Sequence, residues 1–120
     1  MVDLNIIADK LVEELNANKI RCYIWHRATT GSVYIRFNDQ RMGSVRLGDH
    51  EGRGKLKYKF NLRSDFPMHY NKWKKDENVW RHYLSIDQWR ELIPILNKRK
   101  EDVKAYPEAK YEYKIPSFKK

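Results

Sequence analysis

The segment Lys55 to Arg63 reads K-L-K-Y-K-F-N-L-R, with Lys55, Lys57, Lys59 and Arg63 in one alternating set, Asn61 among them, and no acid. Side chains alternate between the two faces of a strand, so this set shares a face opposite Leu56, Tyr58, Phe60 and Leu62. The same alternation in the preceding segments adds Arg21, Tyr23, Trp25, Tyr34, Arg36 and Arg46 to the wet side. Cationic groups neutralise phosphates and release counterions, and aromatic rings offer stacking surfaces to unpaired bases. Readers of RNA and of single strands commonly use such a sheet. The competing expectation is a solvated face, with long basic stems laid over the aromatics.

Two further clusters carry chemistry-bearing groups. Asp49, His50 and Glu51 lie in the glycine-bounded segment Gly48 to Gly54, with Arg53 nearby. A nuclease could use a histidine base or a carboxylate-bound metal there. Neighbouring residues point in different directions, however, so turn formation and phosphate contact through backbone amides are the simpler roles. Trp73 sits among Lys72, Lys74 and Lys75. It could anchor an interface or stack on a base, or fold back onto the core with a lysine fringe. His26, His50, His69 and His82 show no metal-ligand spacing, and a lone cysteine, Cys22, gives neither an internal disulfide nor a zinc site. The lysine after Gly54 lacks the spacing of a phosphate-binding loop. No catalytic residue, metal or cofactor is expected.

The elements that would position these groups follow from period and punctuation. Asp3 is an N-cap residue, and Leu4, Ile7, Leu11 and Leu15 predict an amphipathic helix over 4–18. Strands are expected at Ile20 to His26, Ser32 to Asn38, Met42 to Gly48 and Lys55 to Arg63, with a hairpin turn at Asn38 to Arg41. All five glycines fall between Gly31 and Gly54 and punctuate that region. Residues 64–79 read as irregular, and Val79 to Leu84 fits either a strand or a helical turn. Ser85 and Gln88 have capping-box spacing before Ile86, Trp89, Leu92, Ile93 and Leu96, with Pro94 kinking or dividing that helix. The predicted fold is α+β: an N-terminal helix, a four-stranded antiparallel sheet and a C-terminal helix kinked at Pro94. Residues 1–104 form one domain, and 105–120 form a basic aromatic tail, either disordered when free or laid down as an edge strand.

A chain of 120 residues with a net charge of +9 supports one modest core. Residues 20–63 hold ten basic and three acidic side chains, and residues 98–120 hold eight and four. The excess therefore gathers in the strand region and the tail, which favours a polyanionic partner: nucleic acid, RNA above all, or an acidic protein surface. No apolar run is long enough for a membrane helix, and no secretory signal is visible, so a cytoplasmic setting is expected.

The order helix, sheet, helix resembles double-stranded-RNA-binding domains, but the second helix opens Ser85-Ile86-Asp87-Gln88 where those domains place a lysine-rich motif. The motifs Tyr34-Ile35-Arg36-Phe37-Asn38 and Val45-Arg46-Leu47-Gly48-Asp49-His50 resemble strands of small phage-encoded proteins, including anti-CRISPR inhibitors. That resemblance implies a non-enzymatic inhibitor of a nucleoprotein defence effector in a bacterial host, engaging its guide RNA or an acidic patch. It assigns no residues, and the positive charge departs from the acidic nucleic-acid mimics common among such inhibitors. A stand-alone RNA- or single-stranded-DNA-binding module is the alternative, and a small metal-dependent nuclease the third reading.

Overall fold

A computed structural model describes residues 3–28, 31–50, 53–61, 73–76 and 79–105. Helix α1 (Leu4–Ala17) begins at Asp3, whose carboxylate accepts from the N–H groups of Asn5 and Ile6 at 2.9 and 3.4 Å. Those two donors would otherwise lack partners at the helix start. The helix buries Leu4, Ala8, Leu11 and Leu15, with Ile7 at the margin of that stripe. Burial of each leucine contributes about 1.5–3 kcal/mol.

The sheet is antiparallel throughout. It comprises β1 (Cys22–Arg27), β2 (Val33–Phe37), β3 (Ser44–His50), β4 (Arg53–Asn61), β5 (Lys74–Asp76) and β6 (Val79–Ser85). Its order is β1-β2-β3-β4-β6-β5, six strands where four were expected. The two additional strands have a physical origin. β4 has a long free edge, and β6 satisfies it from Lys55 opposite Ser85 to Asn61 opposite Val79. The ambiguous segment Val79 to Leu84 is therefore a strand, and Lys74–Asp76, read as irregular, pairs with its far side. The glycine-bounded segment Gly48 to Gly54, expected to form a turn, is strand at both of its described ends, since Asp49 pairs with Gly54 and His50 with Arg53. Gly54 is a point of close approach: a Cβ there would lie 2.6 Å from Ile86 Cγ2.

The capping box at Ser85 forms, with the Ser85 N–H donating to Gln88 Oε1 at 3.3 Å. It opens a 3-10 helix, Ile86–Glu91, and α2 follows at Leu92–Ala105. The expected kink at Pro94 is thus a division ahead of it. Pro94 lies in the first turn of α2, where its missing N–H sacrifices no intrahelical bond. The tail 106–120 lies outside the described residues.

The helical elements cover one side of the sheet. Val33, Ile35, Phe37, Val45, Leu47, Leu56, Tyr58 and Phe60 meet Leu11, Leu15, Trp89, Leu92 and Leu96 in a single core. A buried polar group fixes the β2–β3 connection to it. Tyr58 is fully buried, and its hydroxyl donates to the Met42 carbonyl. Arg99 of α2, 1% exposed, donates to the Arg41 carbonyl from Nε at 3.1 Å and also from Nη2, and its guanidinium lies 3.9 Å from the Phe60 ring centre. Burial pushes the Tyr58 hydroxyl far above its ordinary pKa, against the opposing pull of Arg99, so it stays a protonated donor. Among the described residues no helix is long and apolar enough to cross a membrane.

Gly43 closes this connection with φ at 97°, and a Cβ there would lie 2.1 Å from the Lys59 carbonyl oxygen. Both the left-handed backbone and the contact with β4 oppose a side chain. Gly43→Ala is expected to destabilise the fold by about 3 kcal/mol or more in urea unfolding. A change under about 0.5 kcal/mol, the range of an ordinary surface substitution, would show that this contact is not as described.

Candidate nucleic-acid interface

The register of the strands assembles the outward residues into rows that run across the sheet. One row passes from Tyr23 to Arg36, Ser44, Lys59, Arg81 and Lys74. The next passes from His26 to Tyr34, Arg46, Lys57 and Tyr83. Lys55 stands beyond them, between Gly48 and Ser85. Neither row contains an acidic residue. Adjacent strands are about 4.8 Å apart, so the cations of neighbouring strands are within reach of one another.

A bulge shapes the β1 end. The pairing shifts between Ile24 and His26, leaving Trp25 as the extra residue. A bulge re-aims the side chains around it. Here it brings Trp25 and His26 to the same face, their ring centres 6.0 and 5.9 Å from that of Tyr34. The Arg36 guanidinium lies 3.8 Å from the Trp25 ring centre, and that of Arg46 lies 5.6 Å from the Tyr34 ring centre. Trp25 nevertheless remains 49% exposed, with Tyr23 at 45% and Tyr83 at 48%. Exposed rings beside cations suit stacking on an unpaired base.

A cleft of about 250 Å³ opens on this face, lined by Trp25, Tyr34, Arg36, Ser44, Arg46, Lys57 and Lys59 together with Ile35 and Val45. Arg46 Nη2 is braced by Ser32 Oγ at 3.2 Å. Lys57 lies in the middle. Partial burial first, then the charges of Lys59, Arg46 and Arg81, hold its pKa below the ordinary lysine value. A polyanion would relieve that repulsion.

Six of the residues expected from the sequence therefore converge: Trp25, Tyr34, Arg36, Arg46, Lys57 and Lys59 line one cleft. Lys55 and Lys74 extend the face. Trp73 does not join it. It packs on the core side, 5.6 Å from Tyr58 and 5.4 Å from Phe60 between ring centres, and stacks on His82 at 4.8 Å. Arg53 and Lys75 occupy strand positions opposite His50 and Trp80, and their side chains lie outside the described set. Arg63 and Lys72 lie outside the described residues. Arg81, Tyr83 and His26 were not singled out from the sequence. Arg81 and Tyr83 alternate with Trp80, His82 and Leu84, a period-two signal of a strand with these two residues on one face.

Of the cluster Asp49, His50 and Glu51, Asp49 is an exposed strand position, while Glu51 and the His50 side chain lie outside the described residues. Among the described residues no group of three His, Cys, Asp or Glu side chains could hold a metal. Burial pushes the Cys22 thiol up to about 11, so it is protonated at neutral pH and a poor nucleophile. Burial lowers the pKa of His82, with Glu91 acting in the opposite direction. Comparison with protein families, with curated proteins and with solved structures finds no match.

The unfolded chain binds the Lys57 proton more tightly than the folded one does, so the fold gains stability as pH rises from the folded pKa to the ordinary value. Lys57→Gln removes this unfavourable charge at neutral pH. The variant is expected to melt a few degrees higher than the parent and to lose part of the alkaline gain. A lower melting temperature at neutral pH would contradict the crowding described.

Proposed function

We propose that this protein is a non-enzymatic binder of single-stranded RNA, and that its outer sheet face is the binding surface. The observation that supports this most strongly is the pair of rows in which contiguous cations are flanked by aromatics, Tyr23 and Tyr83 exposed among them, without an acid. Phosphates would lie along Arg36, Arg46, Lys57, Lys59 and Arg81, and unpaired bases would stack on Trp25 and its aromatic neighbours. A duplex keeps its bases stacked inside and would leave those rings without their preferred contact. The setting implied by the strand motifs of the sequence is the guide RNA of a nucleoprotein defence effector, which the protein would inhibit by occupying it. A stand-alone RNA- or single-stranded-DNA-binding module would use the same face.

Fluorescence anisotropy with a labelled oligouridine and a duplex of equal length tests the proposal. Four to five phosphate contacts predict a slope of log affinity against log salt of about −3 for the single strand. Replacing both Lys57 and Lys59 by Gln should make that slope shallower by about 1.4. Trp25→Ala should weaken binding about tenfold or more at every salt concentration while leaving the slope unchanged. Salt-independent binding, or variants that bind like the parent, would overturn the proposal. Tight binding to free oligouridine favours the stand-alone role. Weak binding to the free strand with strong capture of a guide-loaded effector favours inhibition.

A further inference from the structure

A second cavity, of about 340 Å³, shares no lining residue with the sheet-face cleft. It lies between the end of α1, the β2–β3 connection and the last turns of α2. Its floor is apolar: Ile20, Met42 and Val103 line it, each under a tenth exposed. Its rim is cationic. Lys19 and Arg21 stand on one side, and Lys100 and Lys104, one turn apart on α2, stand on the other. Arg41 also lines it, but its guanidinium is committed to Asp39 through contacts of 3.0 and 2.9 Å. Asp39 is the single acid among the lining residues, and Arg41 holds its carboxyl below the usual pKa. The ion pair neutralises itself and leaves the four exposed rim cations in excess.

Small-molecule sites are concave, mainly apolar, of about 300 Å³ upward, and carry a few polar groups that fix orientation. Lys100 Nζ also donates to the Asn18 carbonyl at 3.5 Å, and every charge outside the Asp39–Arg41 pair has one sign and lies at the mouth. A neutral apolar ligand would leave that rim unused, and a cation would be repelled by it. We propose that this cavity binds a small anionic amphipath, a medium-chain carboxylate, with its chain over Ile20, Met42 and Val103 and its head group among Lys19, Arg21, Lys100 and Lys104.

The test uses the full chain with 13C-methyl-labelled methionine and decanoate as the probe. The Met42 methyl resonance, assigned by its loss in Met42→Leu, reports on the cavity floor. Decanoate is expected to shift it saturably at millimolar concentration. Octanoate should bind about fifteenfold more weakly, since each buried methylene is worth about fourfold. The double variant Lys100→Glu and Lys104→Glu changes exposed side chains only and should weaken decanoate about fivefold or more. Decyltrimethylammonium, with the same chain and the opposite charge, should bind the parent more weakly than decanoate and the double variant more strongly than it binds the parent. An unmoved Met42 resonance, equal affinity for the two head groups, or full decanoate affinity in the charge-reversed variant would each overturn the proposal.

Discussion

Tyr58 is buried between two lysines, and the outer face depends on that alternation. β4 carries Leu56, Tyr58 and Phe60 into the core and turns Lys55, Lys57 and Lys59 to the other side. A slip of one residue in its pairing would exchange the two sets. Lysine side chains would then enter a region where an unpaired charge costs several kcal/mol. The apolar half of β4 therefore enforces the position of the basic half. Helices on one side only make the exchange asymmetric, because the other side has no element to cover it among the described residues.

The buried polar group around Arg99 extends this control to the neighbouring strand. Tyr58 and Arg99 each satisfy a carbonyl of the short 3-10 turn at Gln40–Met42, and the turn sets where β3 begins. Arg46 is thereby placed opposite Lys57, and Ser44 opposite Lys59. Concentrating like charges in this way opposes folding, and the pKa of Lys57 is lowered first by partial burial and then by the charges of Lys59, Arg46 and Arg81. A surface selected for stability alone would intersperse acids. The strain of like charges is understandable if a polyanion supplies the missing counter-charge, the usual exchange of stability for binding.

Much of this was legible in the residues. Period-two alternation located β2, β3 and β4 and their inner faces, because each of those strands is half buried and its two faces differ in chemistry. The start of α1 was legible because Asp3 is a capping residue ahead of a helical stripe. Other features depend on partners distant in sequence. Val79 to Ser85 mixes aromatic, charged and apolar residues in a short run, and its strand state is decided by the free edge of β4. Arg99 reads as one more base on an α2 already rich in lysine, and only the folded connection shows that it is a buried donor. Trp73 could not be assigned from its lysine neighbours, since a ring of aromatics from β4 and β6 decides where it packs. The bulge at Trp25 has no glycine or proline to announce it, yet it brings His26 and Trp25 to one face.

The central claim is that the ligand lies on the outer sheet face and not on the helical side. Photo-crosslinking with a 4-thiouridine-substituted single strand, followed by mass-spectrometric mapping, tests this most directly. Crosslinks are expected at Tyr23, Trp25, Tyr34 and Tyr83, with β1, β2 and β6 contributing the labelled peptides. Crosslinks confined to peptides of α1 and α2, with those four residues unlabelled, would contradict it.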